Sequence, residues 1–136
     1  MDRRTERETV FKMLFEAGFK DDENYEILYA EALSANDATN TDYIHRVFFG
    51  VKELSAELDE MISANAKGWK LNRISRVSRC IMRISIFEMK VLPNEIPFAV
   101  SINEAVELTK KYDDDNAPKF VNGILNSVAG QLGLKK

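Results

Sequence analysis

Pro97-Phe98-Ala99-Val100-Ser101-Ile102-Asn103-Glu104-Ala105-Val106-Glu107-Leu108, followed after an acidic turn by Lys119-Phe120-Val121-Asn122-Gly123-Ile124-Leu125-Asn126, is the stretch on which the reading of the fold turns. Pro97 cannot donate to a preceding helical turn, yet its fixed φ suits a helix start, so it separates one helix from the next. Beyond the acidic turn, Val121, Ile124, Leu125, Val128 and Leu132 recur at steps of three and four, the spacing of one helical face. At about 100° per residue that stripe is centred roughly 95° from Phe120. Phe120 therefore sits at the edge of the buried face, in the first turn of its helix, and Lys119 points nearly away from the core.

The same spacing runs outward through the chain. Val10, Leu14 and Ala17; Tyr25, Leu28, Tyr29 and Ala32; Ile44, Val47, Val51, Leu54, Leu58 and Ile62; and Ile74, Val77, Ile81 and Ile84 are all helical series, whereas strand signals are nearly absent. The fold class expected is all-α, one domain over residues 1–136. Start signals agree: Thr5 with Glu8 reads as a capping box, Thr41 and Asp42 precede the third series, Ser101 with Glu104 reads as a local cap, and Asn116 stands just before the last helix. Pro93 and Pro97 end one helix and begin the next. The polar loop from Ser34 to Asn40 separates two helices, and Gly68 breaks the chain before Trp69.

With 45% hydrophobic residues the chain can fill a core without disulfide or metal support. Its one cysteine, Cys80, has no internal partner and lies beside Ile81 and Met82, which reads as a buried thiol in a reducing cytosol. The N-terminus lacks the apolar segment of a signal peptide and no apolar run is long enough for a bilayer, so a cytoplasmic location is expected. The net charge of −3 hides a segregation. Residues 21–60 carry eleven Asp/Glu and two Lys/Arg, and residues 61–90 carry seven Lys/Arg and one Glu. Separate acidic and basic regions either solvate opposite faces of a bundle or meet partners of opposite charge.

Catalysis has little to work with, so no enzyme activity and no cofactor is expected. His45 is the only histidine, which with one cysteine excludes a zinc site of the usual Cys/His type, and no glycine-rich phosphate loop is present. Asp113-Asp114-Asp115-Asn116 superficially matches a calcium loop but lacks its glycine, and reads as a solvated turn that favours the following helix N-terminus. Arg3, Arg4 and Arg7 crowd a helix start, where cations oppose the helix dipole. An external phosphate would explain them, as would a charged tail that happens to be basic. At the last helix, an edge aromatic such as Phe120 can stack on an unpaired base while Lys119 holds phosphate; the plainer reading of Phe120 is core-flanking. Arg73, Arg76, Arg79 and Arg83 recur at steps of three and four as a basic ridge, and Arg83 either reaches RNA or anchors an acid such as Glu88 or Glu104.

The two stretches quoted first, together with Trp69-Lys70-Leu71-Asn72-Arg73, Arg79-Cys80-Ile81-Met82-Arg83-Ile84-Ser85-Ile86-Phe87-Glu88-Met89 and the start Arg3-Arg4-Thr5-Glu6-Arg7-Glu8, resemble the NusB family of bacterial transcription antitermination factors, in the family's order and over the whole chain. The resemblance implies a helical bundle of about seven helices in two small subbundles, with the break near Gly68 as their seam. It also implies binding of the single-stranded boxA element of nascent ribosomal RNA leaders together with NusE, a small-subunit ribosomal protein, in an assembly with NusA, NusG and RNA polymerase. Arg3, Arg4, Arg7, Lys119, Phe120 and Arg83 would then meet the RNA, and Phe15, Ser78, Arg79 and Met82 would face NusE. Asn103, Glu104, Asn122 and Gly123 would satisfy polar groups and let helices pack closely, and Trp69 would anchor the core or the seam.

The chain departs from the family pattern at several places. Lys12 and Phe15 replace a glutamine and a tyrosine, Ser78 replaces an acid, Phe87 replaces a tyrosine, and Thr5 stands where a longer arginine cluster continues. These departures bear on polar details of the NusE and RNA contacts and leave the fold expectation untouched. A protein–protein adaptor with incidental RNA affinity is the alternative, and a homodimer stays open. A NusB-like domain also occurs fused to ribosomal RNA methyltransferases, but no cofactor-binding domain is visible here.

Overall fold

The computed structural model describes residues 2–18, 25–68 and 74–135. Among them are seven helices: α1 (Arg3–Ala17), α2 (Tyr25–Ala35), α3 (Asp42–Glu53), α4 (Ser55–Ala64), α5 (Arg76–Val91), α6 (Phe98–Tyr112) and α7 (Ala117–Gln131), with no strand among the described residues. They group into two compact units, Met1–Phe49 and Gly50–Lys136. The boundary falls inside α3. Gly68, expected at the seam, lies within the second unit, because α4 packs on α5 and α7 and so belongs with them. Gly68 instead ends a turn after α4 in which both Lys67 (φ 42°) and Gly68 (φ 91°) adopt left-handed backbone. Trp69 and Arg73 lie outside the described residues.

In the first unit, α1 and α2 pack together. Val10, Phe11, Met13 and Leu14 of α1, Leu28, Tyr29 and Ala32 of α2, and Tyr43, Ile44, Val47 and Phe48 of α3 are buried. Aromatic rings join α2 to α3: Tyr25 stacks on Phe48 at 4.8 Å, and Tyr29 lies 5.1 Å from Phe48 and 4.8 Å from Phe49. Such pairs add about 0.5–1.5 kcal/mol beyond the area they bury. The Tyr29 hydroxyl donates to the Asn40 side chain, which ties α2 to the loop after it. The cap of α1 differs from expectation. Asp2, not Thr5, stands at the N-cap and accepts from the Thr5 amide at 2.7 Å. Its carboxylate is one residue outside the helix, where the first free amides point, whereas Thr5 is already helical and its carbonyl accepts from Thr9 Oγ1. At α3, Thr41 caps as its sequence position suggests, accepting from the Ile44 amide at 3.2 Å.

The second unit is built around α5, which packs against α4, α6 and α7. Its residues Ile84 to Met89 are all buried, as a helix flanked on several sides requires. Each fully buried aliphatic side chain there contributes roughly 1.5–3 kcal/mol. Polar groups inside this core are paired. Ser101 Oγ donates to Glu88 Oε1 at 2.7 Å and lies 2.9 Å from Ser85 Oγ, joining α6 to α5. Ser101 is therefore not a cap; Pro97 is the N-cap of α6, and the serine hydroxyl turns inward to a buried carboxylate. Buried carboxylates need such donors, because an unpaired one is costly. Arg83 of α5 grips Asp59 of α4 with Nε–Oδ1 at 2.7 Å and Nη2–Oδ2 at 2.5 Å. Lys90 pairs with Glu57 at 2.5 Å on the same two helices. Cys80 is buried and desolvation pushes its thiol up to about 12.

Candidate nucleic-acid interface

The turn from α6 into α7 is organised by two aspartates. Asp113 is the C-cap of α6 in extended conformation, and Asp114 Oδ1 accepts from the amides of Asn116 at 3.0 Å and Ala117 at 3.1 Å. Asn116 occupies the N-cap position, but its side chain makes no capping bond; the aspartate two residues earlier does that work. Pro118 follows in the first turn, where its missing N–H costs nothing. Val121, Leu125 and Val128 then bury α7, Phe120 is half-buried and Lys119 is exposed. This matches the angular expectation for both residues.

Phe120 and Lys119 line a cavity of about 630 Å³ with Ser75, Asp113, Asp114, Asn116 and Ala117. One wall is a hydroxyl–carboxylate clamp. Ser75, the N-cap of α5, accepts from the Ser78 amide at 3.0 Å and donates its hydroxyl to Asp113, while Ser78 Oγ donates to the same Asp113 oxygen at 2.5 Å. Partial burial pushes the Asp113 carboxyl upward, but the two serine hydroxyls and the backbone amides of Asp114 and Ser78 outweigh it and hold the group below the usual carboxylate range. Phe120 also lines a second cavity of about 200 Å³ with Asn65, Ala66, Lys67, Gly123 and Ile124.

The N-terminal arginines lie in the first unit. Arg3 bonds Glu6 at 3.2 Å with its guanidinium 4.4 Å above the Tyr43 ring, and Arg4 is exposed. Arg7 departs from expectation: it is 3% exposed, its guanidinium 5.8 Å from the same ring. It lies one turn beyond Arg3 on the same side of α1, so both reach the Tyr43 ring, and it is buried where Arg3 stays exposed at the open start of the helix. Arg83, expected either at RNA or on an acid such as Glu88 or Glu104, is half-buried and pairs with Asp59 rather than with either of those acids. Of the residues expected to face NusE, Phe15 is half-buried and packs 5.9 Å from Phe11, and Arg79 is half-buried. Ser78 and Met82 expose nothing. They lie on the inner side of α5.

Gly123 corrects a further expectation. It is exposed and a Cβ built there meets nothing within 4 Å, so it serves no close helix packing. Asn122 is exposed too, and Asn126 Nδ2 donates to its carbonyl at 2.9 Å. Among the described residues no group of three or more His, Cys, Asp or Glu is arranged to hold a metal ion. No helix among them is long and apolar enough to cross a membrane. The clamp and the Lys67–Gly123 cavity were not legible in sequence. Ser75 carried a local signal as an N-cap type before a helix, but nothing nearby marks Asp113 as its partner.

The family model described as the NusB family matches residues 4–130. The chain belongs to the NusB family. Among NusB-family relatives it is similar to the transcription antitermination protein NusB of Bacillus pumilus, 41% identical over 132 residues that cover 97% of this chain and 98% of that one. Its NusB fold matches the solved structure of T. maritima NusB with a TM-score of 0.82 and 36% identity, covering 96% of this chain and 92% of that one. It also matches a chain in the crystal structure of antitermination factors NusB and NusE in complex with dsRNA, with a TM-score of 0.81, covering 95% of this chain and 96% of that one; at 24% identity this likeness speaks for the fold.

Proposed function

We propose that this protein is a transcription antitermination factor that binds a boxA-type single-stranded RNA of nascent ribosomal RNA leaders together with NusE, and so joins the RNA polymerase assembly with NusA and NusG. Membership of the NusB family supports the activity. The observation that carries the RNA reading is the first turn of α7, where exposed Lys119 and half-buried Phe120 line one open cavity. A lysine holds phosphate as a point charge and an edge ring offers its face to an unstacked base, which together suit single strands better than duplex. Arg3 and Arg4 offer further cations on the first unit, with Arg7 packed beneath them. Phosphate contacts of this kind position RNA, and base contacts then specify it. Phe15 and Arg79 are the surface members of the set assigned to NusE. The mechanism is binding and scaffolding in the cytoplasm, with no chemical step.

Titration of a boxA-type RNA and a scrambled RNA, with and without NusE and across salt, tests this. Preference for boxA that NusE strengthens is expected. Equal binding of both RNAs with a steep salt slope would leave only charge attraction and reject the assignment.

A further inference from the structure

We propose that RNA bound at Phe120 continues along α7 past Gly123 to Lys67, which supplies a second phosphate contact. The inference rests on the RNA reading above and extends it to residues outside the set assigned there. Phe120 lines both cavities, so a strand seated against its ring in the larger one has an open continuation in the smaller. Ala66 and Ile124 are buried and give that continuation an apolar floor. Gly123, one turn along α7 from Phe120, opens it sterically: glycine is a poor residue inside a helix, yet here it is exposed and packs against nothing within 4 Å of where its Cβ would be. The absent side chain leaves helix backbone that a ribose-phosphate chain can approach closely.

Lys67 is held at the end of this track. Two residues earlier, Asn65 donates to Met61 O at 2.8 Å and to Gln131 Oε1 at 2.7 Å, and accepts from Ser127 Oγ at 2.6 Å. These bonds tie the turn after α4 to the helix that carries Phe120. Lys67 then adopts φ 42°, a left-handed conformation that residues with side chains rarely take, and it lines the second cavity. Among the described residues lining that cavity there is no carboxylate, whereas Asp113 and Asp114 line the first. Lys67 is exposed and lines its cavity with no counter-charge among the described lining residues, which suits a phosphate contact.

The test measures boxA-type RNA binding across salt for the wild type, Lys67→Gln and Gly123→Gln, with thermal melts of each protein. Lys67→Gln is expected to weaken binding several-fold and to lower the log–log salt slope by roughly 0.7, the value for one lost single-strand phosphate contact. Gly123→Gln is expected to melt at the same or a higher temperature, because glutamine is the better helix former, and yet to bind RNA about tenfold more weakly as its side chain fills the track. A merely structural glycine would not give opposite signs in the two measurements. If the wild type prefers boxA over scrambled RNA but either variant binds as the wild type does, the track to Lys67 is wrong while the function stands. If the wild type shows no preference, both readings fall.

Discussion

The hydroxyl of Ser78 donates a 2.5 Å hydrogen bond to the carboxylate of Asp113, 35 residues further along the chain. The bond brings a carboxylate from the end of α6 to the first turn of α5. The same oxygen accepts from Ser75, so the start of α5 and the turn into α7 are held by one charged group. Asp113→Ala is expected to lower stability by about 1 kcal/mol, below the roughly 1.5–3 kcal/mol of a hydrogen bond to a charged group because the site is partly solvated. Asp113→Asn should lose less, since its amide oxygen still accepts. Chemical denaturation of the two variants checks the order.

The depressed Asp113 carboxyl also makes a pH prediction. Desolvation opposes the shift, and the hydroxyl and amide donors that favour the ionised form prevail. Because the folded pKa lies below the unfolded one, the contribution is fully present above the ordinary 3.8 and is lost as pH falls through the lower folded value. Carbon-detected NMR titration should place the Asp113 midpoint below 3.8, with the Ser78 amide shift following it. A midpoint at or above 3.8 would mean that the clamp does not form.

Arg83 and Asp59 form a forked pair with side chains 27% and 21% exposed. Arg83→Gln should cost roughly 1–2 kcal/mol, between the values for surface and buried pairs, because Asp59 is left with one side of its fork unmet. The salt dependence of RNA binding should not change. A fall in the salt slope would instead make Arg83 a phosphate contact.

Gly50 closes the last turn of α3 against Phe87 of α5, whose ring edge occupies the space that a Cβ would take. Phe87 is 4% exposed and has little room to move. Gly50→Ala should therefore destabilise by about 1–2 kcal/mol, overpacking outweighing the gain in helix propensity. Gly50→Ala combined with Phe87→Leu should recover part of that loss, and a double-mutant cycle by thermal melting measures it.

Cys80 is buried with its thiol pushed up to about 12. At pH 8 roughly one molecule in ten thousand carries the reactive thiolate. Labelling with a disulfide reagent should be negligible in the folded protein and rapid in denaturant. Fast labelling of the folded chain would show that α5 is not closed over the sulfur.

The helices and their order were readable from apolar spacing, prolines and a few polar starts, because an α-helix is built from neighbours within four residues and announces itself locally; the family was readable only from the resemblance of the quoted motifs. Phe120 at the edge of the α7 stripe and Thr41 as a cap were legible for the same reason. Partner choice was not. Asp113 with Ser78, Asp59 with Arg83, Glu88 with Ser101, Arg7 buried beside exposed Arg3 and Arg4, and open space at Gly123 all depend on which helices meet and at what rotation. That is settled by packing between residues tens of positions apart, where opposite charges are plentiful and local pattern carries no distance.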